Sequence, residues 1–138
     1  MALMRAVQPS ERIIRKLILI IGVFGKKEDE RVIRKSFSVD LGVSRRVAVI
    51  RIGKGRNNDI KLSSEFVDVD QGYISFFMEN GNARVFYTNT GRFPANVKST
   101  GGVKTLGEGQ EVQIKNNCPI KIGLMNEIAT VDVSFKIK

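Results

Sequence analysis

Hydrophobic and polar residues alternate with a period of two along most of this chain. The pattern is clearest near the C-terminus, where apolar residues occupy every second position from Ala129 to Ile137 and mostly polar residues fill the others. Alternation of this kind is typical of a strand with one buried and one solvent-facing side. Shorter runs with the same period occupy residues 36–41, 74–78, 83–87 and 111–114.

Turn signals separate these runs. Asn80-Gly81-Asn82 lies between two alternating segments and predicts a hairpin. Further turns are expected at 89–91, 101–102 and 116–117. About eleven short strands without a convincing helix predict an all-β fold, an antiparallel β-sandwich of about eleven strands. We expect residues 13–138 to form this single domain and residues 1–12 to be a flexible tail.

The longest apolar run, Leu17–Phe24, is β-branched and predicts a buried strand. It is far shorter than the roughly 20 residues that span a bilayer. The residues after it, from Gly25 to Glu30, contain no signal-peptide cleavage pattern. With no transmembrane segment or signal peptide, we expect a cytoplasmic or nuclear protein.

Composition limits the chemistry. The chain has no His and a single Cys, Cys118. This removes Ser-His and Cys-His nucleophile pairs, His-containing zinc sites and an intrachain disulfide. Asp68 and Asp70 have the spacing to share one strand face, but no second group of the kind needed for acid–base chemistry accompanies them. We expect no enzymatic activity, no catalytic residues, no metal site and no cofactor, and a buried Cys118 in a reducing compartment.

The net charge of +9 is concentrated in residues 1–60, which hold fourteen Lys and Arg against six Asp and Glu. A basic surface attracts polyanions, so nucleic acid, a phosphorylated or acidic protein, and a merely solvated surface all stay open. Phe24 and Phe37 occupy core-like positions, which argues against stacking on bases. The predicted basic patch surrounds the first hairpin and comprises Arg15, Lys16, Lys26, Lys27, Arg31, Arg34 and Lys35.

One segment carries a family resemblance. Residues 52–62 read Ile-Gly-Lys-Gly-Arg-Asn-Asn-Asp-Ile-Lys-Leu, which resembles the forkhead-associated (FHA) signature of Ile-Gly-Arg, three variable residues and Asn-Asp-Ile-x-Leu. Residues 17–25 and 35–41 resemble the family's first strands, and 106–114 its late Leu-x-x-Gly-Asp-x-Ile-x-Ile motif, with Gln110 in place of Asp. The resemblance covers roughly residues 15–137. It implies an eleven-stranded sandwich whose loops at one end bind phosphothreonine peptides.

The family's ligand positions depart from its pattern. Lys54 replaces the phosphate-contacting Arg and loses the bidentate fork. Asp70 replaces the Ser of the Ser-Arg-x-His motif, and Tyr73 replaces its structural His. The Asn that holds the peptide backbone has no counterpart near residues 90–93. Arg45 and Arg46 are expected at the same end, and the anion-binding candidates are Lys54, Arg56, Asn57 and Arg92.

The resemblance therefore implies a non-enzymatic FHA-like protein-interaction or scaffolding domain. Its phosphopeptide binding is expected to be weakened, rewired or lost, and its partner to be phosphorylated or acidic. The alternative is a basic structural or nucleic-acid-associated protein that serves as a rigid block in a larger assembly or virus particle. Exposed strand edges leave oligomers open, and an outward-facing Phe77 beside Phe76 indicates either a partner surface or an internal contact.

Overall fold

In a computed structural model, which describes residues 14–40, 45–99, 101–124 and 127–138, the chain folds into eleven strands. The strands are β1 (Ile14–Phe24), β2 (Arg31–Asp40), β3 (Val47–Gly53), β4 (Ile60–Lys61), β5 (Gly72–Glu79), β6 (Asn82–Asn89), β7 (Ala95–Ser99), β8 (Gly102–Leu106), β9 (Gln110–Ile114), β10 (Cys118–Ile122) and β11 (Ala129–Ile137). Among the described residues, the helical structure is one 3-10 turn, Lys27–Asp29, and no helix is long and apolar enough to cross a membrane.

The strands form two sheets. The six-stranded sheet has the order β2-β1-β11-β10-β7-β8, and the five-stranded sheet has the order β4-β3-β5-β6-β9. Neighbouring strands are antiparallel except for the two-residue pairing of β3 with β4, which is parallel. The predicted all-β sandwich of about eleven strands is confirmed. The predicted tail at residues 1–12 lies outside the described residues.

Alternation along the strands builds the core between the sheets. In β11, Val131 and Val133 are fully buried, while Asp132 and Ser134, which alternate with them, are partly exposed. The register pairs Val133 with Ile21 of β1, so apolar residues of neighbouring strands face the same side. The inner face of the five-stranded sheet contributes buried residues in the same way, including Ile50, Ile52, Ile74, Phe76, Val85, Tyr87 and Ile114.

The run Leu17–Phe24 shows where apolar content alone misleads. Every residue of the run except Gly22 is hydrophobic, so the sequence does not reveal which face each side chain takes. The odd-numbered residues face the core, whereas Ile18, Ile20 and Phe24 lie on the outer face. Phe24 is 50% exposed, so its predicted core position is wrong. Phe37 is partly buried and packs against Phe76 of the other sheet, with ring centroids 6.3 Å apart.

Left-handed residues close the β5–β6 hairpin. Asn80 has a φ of 52° and Gly81 a φ of 80°. Two consecutive positive φ values are the signature of a type I′ turn, for which Asn-Gly is the preferred sequence. Glu79 and Asn82 pair directly across this turn, which confirms the predicted hairpin.

Six connections meet at one end of the sandwich, which we call the loop end. They are residues 25–30, 54–59, 62–71, 90–94, 107–109 and 123–128, of which 125–126 are outside the described residues. The loop end contains the segment with the FHA resemblance, because β3 ends there at Gly53 and β5 begins there at Gly72.

Candidate functional site

The β3–β4 loop is held against the β4–β5 loop by backbone hydrogen bonds. The Lys54 N–H donates to Asp68 O at 2.8 Å, and the Gly55 N–H donates to Val69 O at 3.0 Å. The buried Asn58 side chain donates from Nδ2 to both Gly55 O (2.9 Å) and Val69 O (2.7 Å). Asn58 thus fixes the loop that presents Lys54. These two hydrogen bonds explain why an Asn occupies this position of the Asn-Asp-Ile-x-Leu segment.

Asp68 lies on the β4–β5 loop and connects it to the β6–β7 loop. Its Oδ1 accepts from the Val69 N–H at 3.0 Å, and its Oδ2 accepts from the Arg92 N–H at 3.1 Å. The Arg92 Nε atom is 3.8 Å from the same Oδ2. A carboxylate therefore occupies backbone N–H groups of two loops and attracts the one cation of the β6–β7 loop.

Behind Asp68 lies a buried polar network. Gln71 and Asn89 are both 0% exposed. Gln71 accepts from the Asp68 N–H through Oε1, and its Nε2 donates to Asn89 Oδ1 (2.9 Å) and Phe93 O (2.8 Å). Burial raises the pKa of Tyr87 well above its ordinary value of 10.0, so the phenol stays protonated and donates to Asn89 Oδ1 at 2.9 Å.

The remaining amide hydrogens of Asn89 extend the network to a third loop. Asn89 Nδ2 donates to Phe93 O at 2.9 Å and to Leu106 O at 3.1 Å, at the start of the 107–109 connection. Sequence reasoning missed Gln71 and Asn89, because a polar residue at a strand end looks solvent-exposed until its partners are known. The signal present in the sequence was their position beside turn residues.

The residues that resemble the Ser-Arg-x-His motif lie where β5 begins. Tyr73 is half-buried on the outward side of β5, and Asp70 is exposed. The buried polar residue just before β5 is Gln71. Asp68, three residues before Gln71, is the carboxylate that accepts hydrogen bonds from both loops.

The candidate anion-binding residues lie on two loops that meet at Asp68. Lys54, Arg56 and Asn57 are exposed on the β3–β4 loop, and Arg92 is exposed on the β6–β7 loop. Within the described part of the chain, the side chains of Lys54 and Arg56 form no ion pair. Arg92 is drawn to Asp68 and lies over the ring of Phe93, with 5.3 Å between guanidinium and ring centroid.

The loop end is net negative although the whole chain carries +9. Its connections hold nine carboxylates and five cations. The carboxylates are Glu28, Asp29, Glu30, Asp59, Glu65, Asp68, Asp70, Glu108 and Glu127, and the cations are Lys26, Lys27, Lys54, Arg56 and Arg92. Positive charge is therefore concentrated on the strands and at the opposite end of the sandwich. The net charge of residues 1–60, taken along the sequence, does not show this division.

Side-chain contacts attach the β1–β2 turn to the rest of the loop end. Asp29 is buried and its Oδ2 accepts from both the N–H and the hydroxyl of Ser63, each at 2.9 Å. Lys26 Nζ lies 3.2 Å from Glu127 Oε1, and contact with this carboxylate raises the pKa of Lys26. The buried carboxylate of Asp29 thus attaches the β1–β2 turn to the β4–β5 loop.

The predicted basic patch does not form one surface. Lys16 and Lys26 lie at opposite ends of the β1 region, about 30 Å apart at the usual strand rise. The register places Arg15, Arg31 and Lys35 on the inward side of the β1–β2 pair and Lys16 and Arg34 on the outward side. Among the described residues, partners are present for three of the seven: Lys26 with Glu127, Lys35 with Asp59 at 3.1 Å, and Arg31 with the carbonyl of Asp29 at 3.2 Å.

Arg46 lies away from the loop end, because the β2–β3 connection is at the opposite end of the sandwich. It crosses the outer face of the five-stranded sheet and forms a bidentate pair with Glu111 at 2.8 and 3.1 Å. Its guanidinium is 4.1 Å from the Phe86 ring, which stacks on Phe77 with centroids 5.7 Å apart. Phe77 therefore faces outward but is covered in part by its neighbour.

The single cysteine is buried between the sheets, as predicted. Cys118 is free, and burial raises the pKa of its thiol. No three Asp, Glu or Cys side chains gather into a metal-binding group in the ranges that the structure describes.

We expect Asp68 to make stability depend on pH. The Arg92 N–H, with further help from the Val69 N–H and the Arg92 charge, lowers the pKa of Asp68 below its ordinary 3.8. This stabilisation is complete above the unfolded-state pKa and is lost as the pH falls through the lower folded-state pKa. The drop in unfolding free energy between about pH 5 and pH 2 should be smaller in Asp68→Asn than in the wild type, measured by urea denaturation. Asp70→Asn is the control, and equal drops in wild type and Asp68→Asn would contradict the assignment.

Comparisons with known proteins support the fold and leave the family open. No family model matches the chain, and no curated protein matches it. Among solved structures, the crystal structure of full-length yeast Pml1p is similar, with a TM-score of 0.55 and 10% sequence identity. The match covers 96% of this chain and 89% of that chain. The two proteins share a fold, an all-β sandwich in the chain described above.

Proposed function

We propose that the protein is a non-enzymatic interaction domain of the FHA type whose loop end binds a protein partner without requiring phosphate. One observation carries the proposal: the Asp68 carboxylate occupies backbone N–H groups of two loops and attracts Arg92. The domain's own side chain fills the place where an external anion would bind.

The FHA assignment rests on motif and architecture together. The segment Ile52–Leu62 spans the end of β3, the connecting loop and β4, where the resemblance requires it. Asn58 holds this loop through two hydrogen bonds, so the motif residues perform a local structural task. The eleven strands in two sheets agree with the architecture that the resemblance implies.

Electrostatics favours a neutral or basic partner segment over a phosphorylated one. The backbone of Asp68 is hydrogen-bonded to that of Lys54, and on the loop end as a whole nine carboxylates outnumber five cations. A phosphate of charge about −2 is repelled by nearby carboxylates. Lys54 also lacks the planar fork with which Arg holds phosphate oxygens. The absence of His in the sequence supports a role without acid–base catalysis.

The proposal is tested with matched peptides. We expect phosphothreonine peptides and their unphosphorylated forms to bind the wild type with affinities within about threefold, measured by fluorescence anisotropy. In Asp68→Ser, the carboxylate is gone and a hydroxyl donor faces the freed Arg92. We expect this variant to prefer phosphopeptides by about tenfold or more, which corresponds to about 1.4 kcal/mol.

Glu65→Ser is the matched control, because it removes one exposed carboxylate from the same loop without touching Arg92. It should not create a phosphopeptide preference. Display selection on the wild-type domain should enrich neutral or basic peptides. A wild type that prefers phosphopeptides tenfold, and loses this preference in Lys54→Ala, would show a working phosphate site and overturn the proposal.

A further inference from the structure

The outer face of the six-stranded sheet carries five exposed cations from five strands. Side chains of directly paired residues lie on the same side of a sheet. The register pairs Lys16 with Ser38, Arg34 with Ile20, Lys136 with Ile18 and Lys121 with Thr130, all on the side away from the core. Lys98 follows the buried Val97 in β7, so its side chain lies on the side away from the core, like the other four. The outer basic face is defined here as Lys16, Arg34, Lys98, Lys121 and Lys136.

These cations are not neutralised from within the molecule. None of the five forms an ion pair with a described carboxylate. The carboxylates that the register places on this side are Asp40 and Asp132. Five positive charges against two, on strands spaced about 4.8 Å apart, give a positive surface that can contact several phosphates of one chain at once.

Phe24 adds an exposed aromatic ring to the same face. Its side chain is 50% exposed and lies over Gly22, where an added Cβ would be 2.9 Å from the ring. The ring therefore packs closely over the glycine, and half of the side chain is open to solvent. Val32, which is 72% exposed, pairs with Gly22 beside it. An exposed aromatic ring held against a sheet can stack a nucleobase.

A shallow cavity of about 120 Å³ opens on this face between the apolar and basic side chains. Ile18 and Ile20 contribute apolar surface, and Asn116 and Asn117 line its rim. Their Oδ1 atoms are engaged, by the Phe135 N–H at 2.8 Å and the Ser134 hydroxyl at 2.7 Å. Their Nδ2 groups donate to no residue in the described ranges and can donate to a ligand that carries carbonyl or phosphate oxygens.

We propose that the outer basic face binds single-stranded nucleic acid, with backbone phosphates on the five cations and one base stacked on Phe24. An acidic protein segment would also neutralise the cations, but it carries no nucleobase to stack on the exposed Phe24 ring. Because the loop end is a separate, net negative surface, the inference is independent of the partner proposed for it.

The experiment measures binding of a fluorescein-labelled 15-nucleotide oligouridylate and oligodeoxythymidylate by anisotropy between about 30 and 200 mM salt. Each neutralised phosphate of a single strand contributes about −0.7 to the slope of log affinity against log salt, so five contacts predict a slope of about −3.5. Lys121→Glu/Lys136→Glu should lower affinity at least about tenfold and make the slope shallower by about 1.4. Phe24→Ala should lower affinity about fivefold or more without changing the slope.

Lys61→Glu/Lys104→Glu is the matched control, because it makes the same change in net charge at exposed lysines that lie outside both the outer basic face and the loop end. It should change affinity less than about threefold and leave the slope unaltered, since long-range effects are screened. Circular dichroism checks that each variant is folded. Equal loss in both double variants would reduce the effect to net charge and overturn the assigned surface. Binding of polyglutamate as tight as that of the oligonucleotides, with no effect of Phe24→Ala, would instead identify an acidic protein as the occupant.

Discussion

Asn89→Ala is expected to lower the free energy of unfolding by about 3–4 kcal/mol. The substitution removes a buried amide that accepts from Gln71 Nε2 and the Tyr87 hydroxyl and donates to the carbonyls of Phe93 and Leu106. Tyr87 is fully buried, so water cannot replace its lost acceptor without opening the core. Each buried polar group left without a partner costs about 1–3 kcal/mol, and several are left here.

Urea denaturation followed by circular dichroism measures the loss. Asn82→Ala is the control, because Asn82 is an exposed asparagine at the other end of the same strand. It should change the unfolding free energy by less than about 0.5 kcal/mol. If the two variants were equally stable, Asn89 would not be the centre of the network.

Gly53→Ala is expected to destabilise the protein by about 2–4 kcal/mol, with the damage centred on the loop end. A Cβ at this position would lie 2.3 Å from Val69 O and 2.8 Å from Asn58 Nδ2. Val69 O is the acceptor for both Asn58 and the Gly55 N–H. The added methyl therefore forces apart the two loops that these bonds hold together.

Urea denaturation gives the global effect, and amide hydrogen exchange at Gly55 gives the local one. Exchange at Gly55 should accelerate more than exchange in the middle of β11. Gly101→Ala provides the comparison, because a Cβ there meets no atom within 4 Å. If both variants were as stable as the wild type, the close approach at Gly53 would be contradicted.

The fold could be predicted because each strand's pattern has a direct physical cause. Alternation from Ala129 to Ile137 follows from one buried and one open face, and Asn80-Gly81 follows from the φ values that a type I′ turn needs. The run Leu17–Phe24 could not be resolved, because a fully apolar strand gives no sign of which residues face outward. Only the register with β11 places Phe24 on the open side.

The candidate site was less predictable, because it depends on contacts between loops that are distant in sequence. Lys54 and Arg56 were found from the family motif, and the structure places them on an exposed loop. The role of Asp68 depends on a hydrogen bond to Arg92, 24 residues later, which no local pattern encodes. The burial of Gln71 has the same origin, since burial of a polar residue is decided by its partners.

The separation of charge between the loop end and the rest of the sandwich gives the molecule a permanent electric dipole. Near any extended polyanion, the field of the polyanion exerts a torque on this dipole. The torque turns the net negative loop end away from the polyanion and the lysine-bearing strands toward it. The torque acts before contact and at distances up to about a Debye length, roughly 8–10 Å in physiological salt. A domain adsorbed on such a surface would therefore present its loops outward, accessible to a second partner.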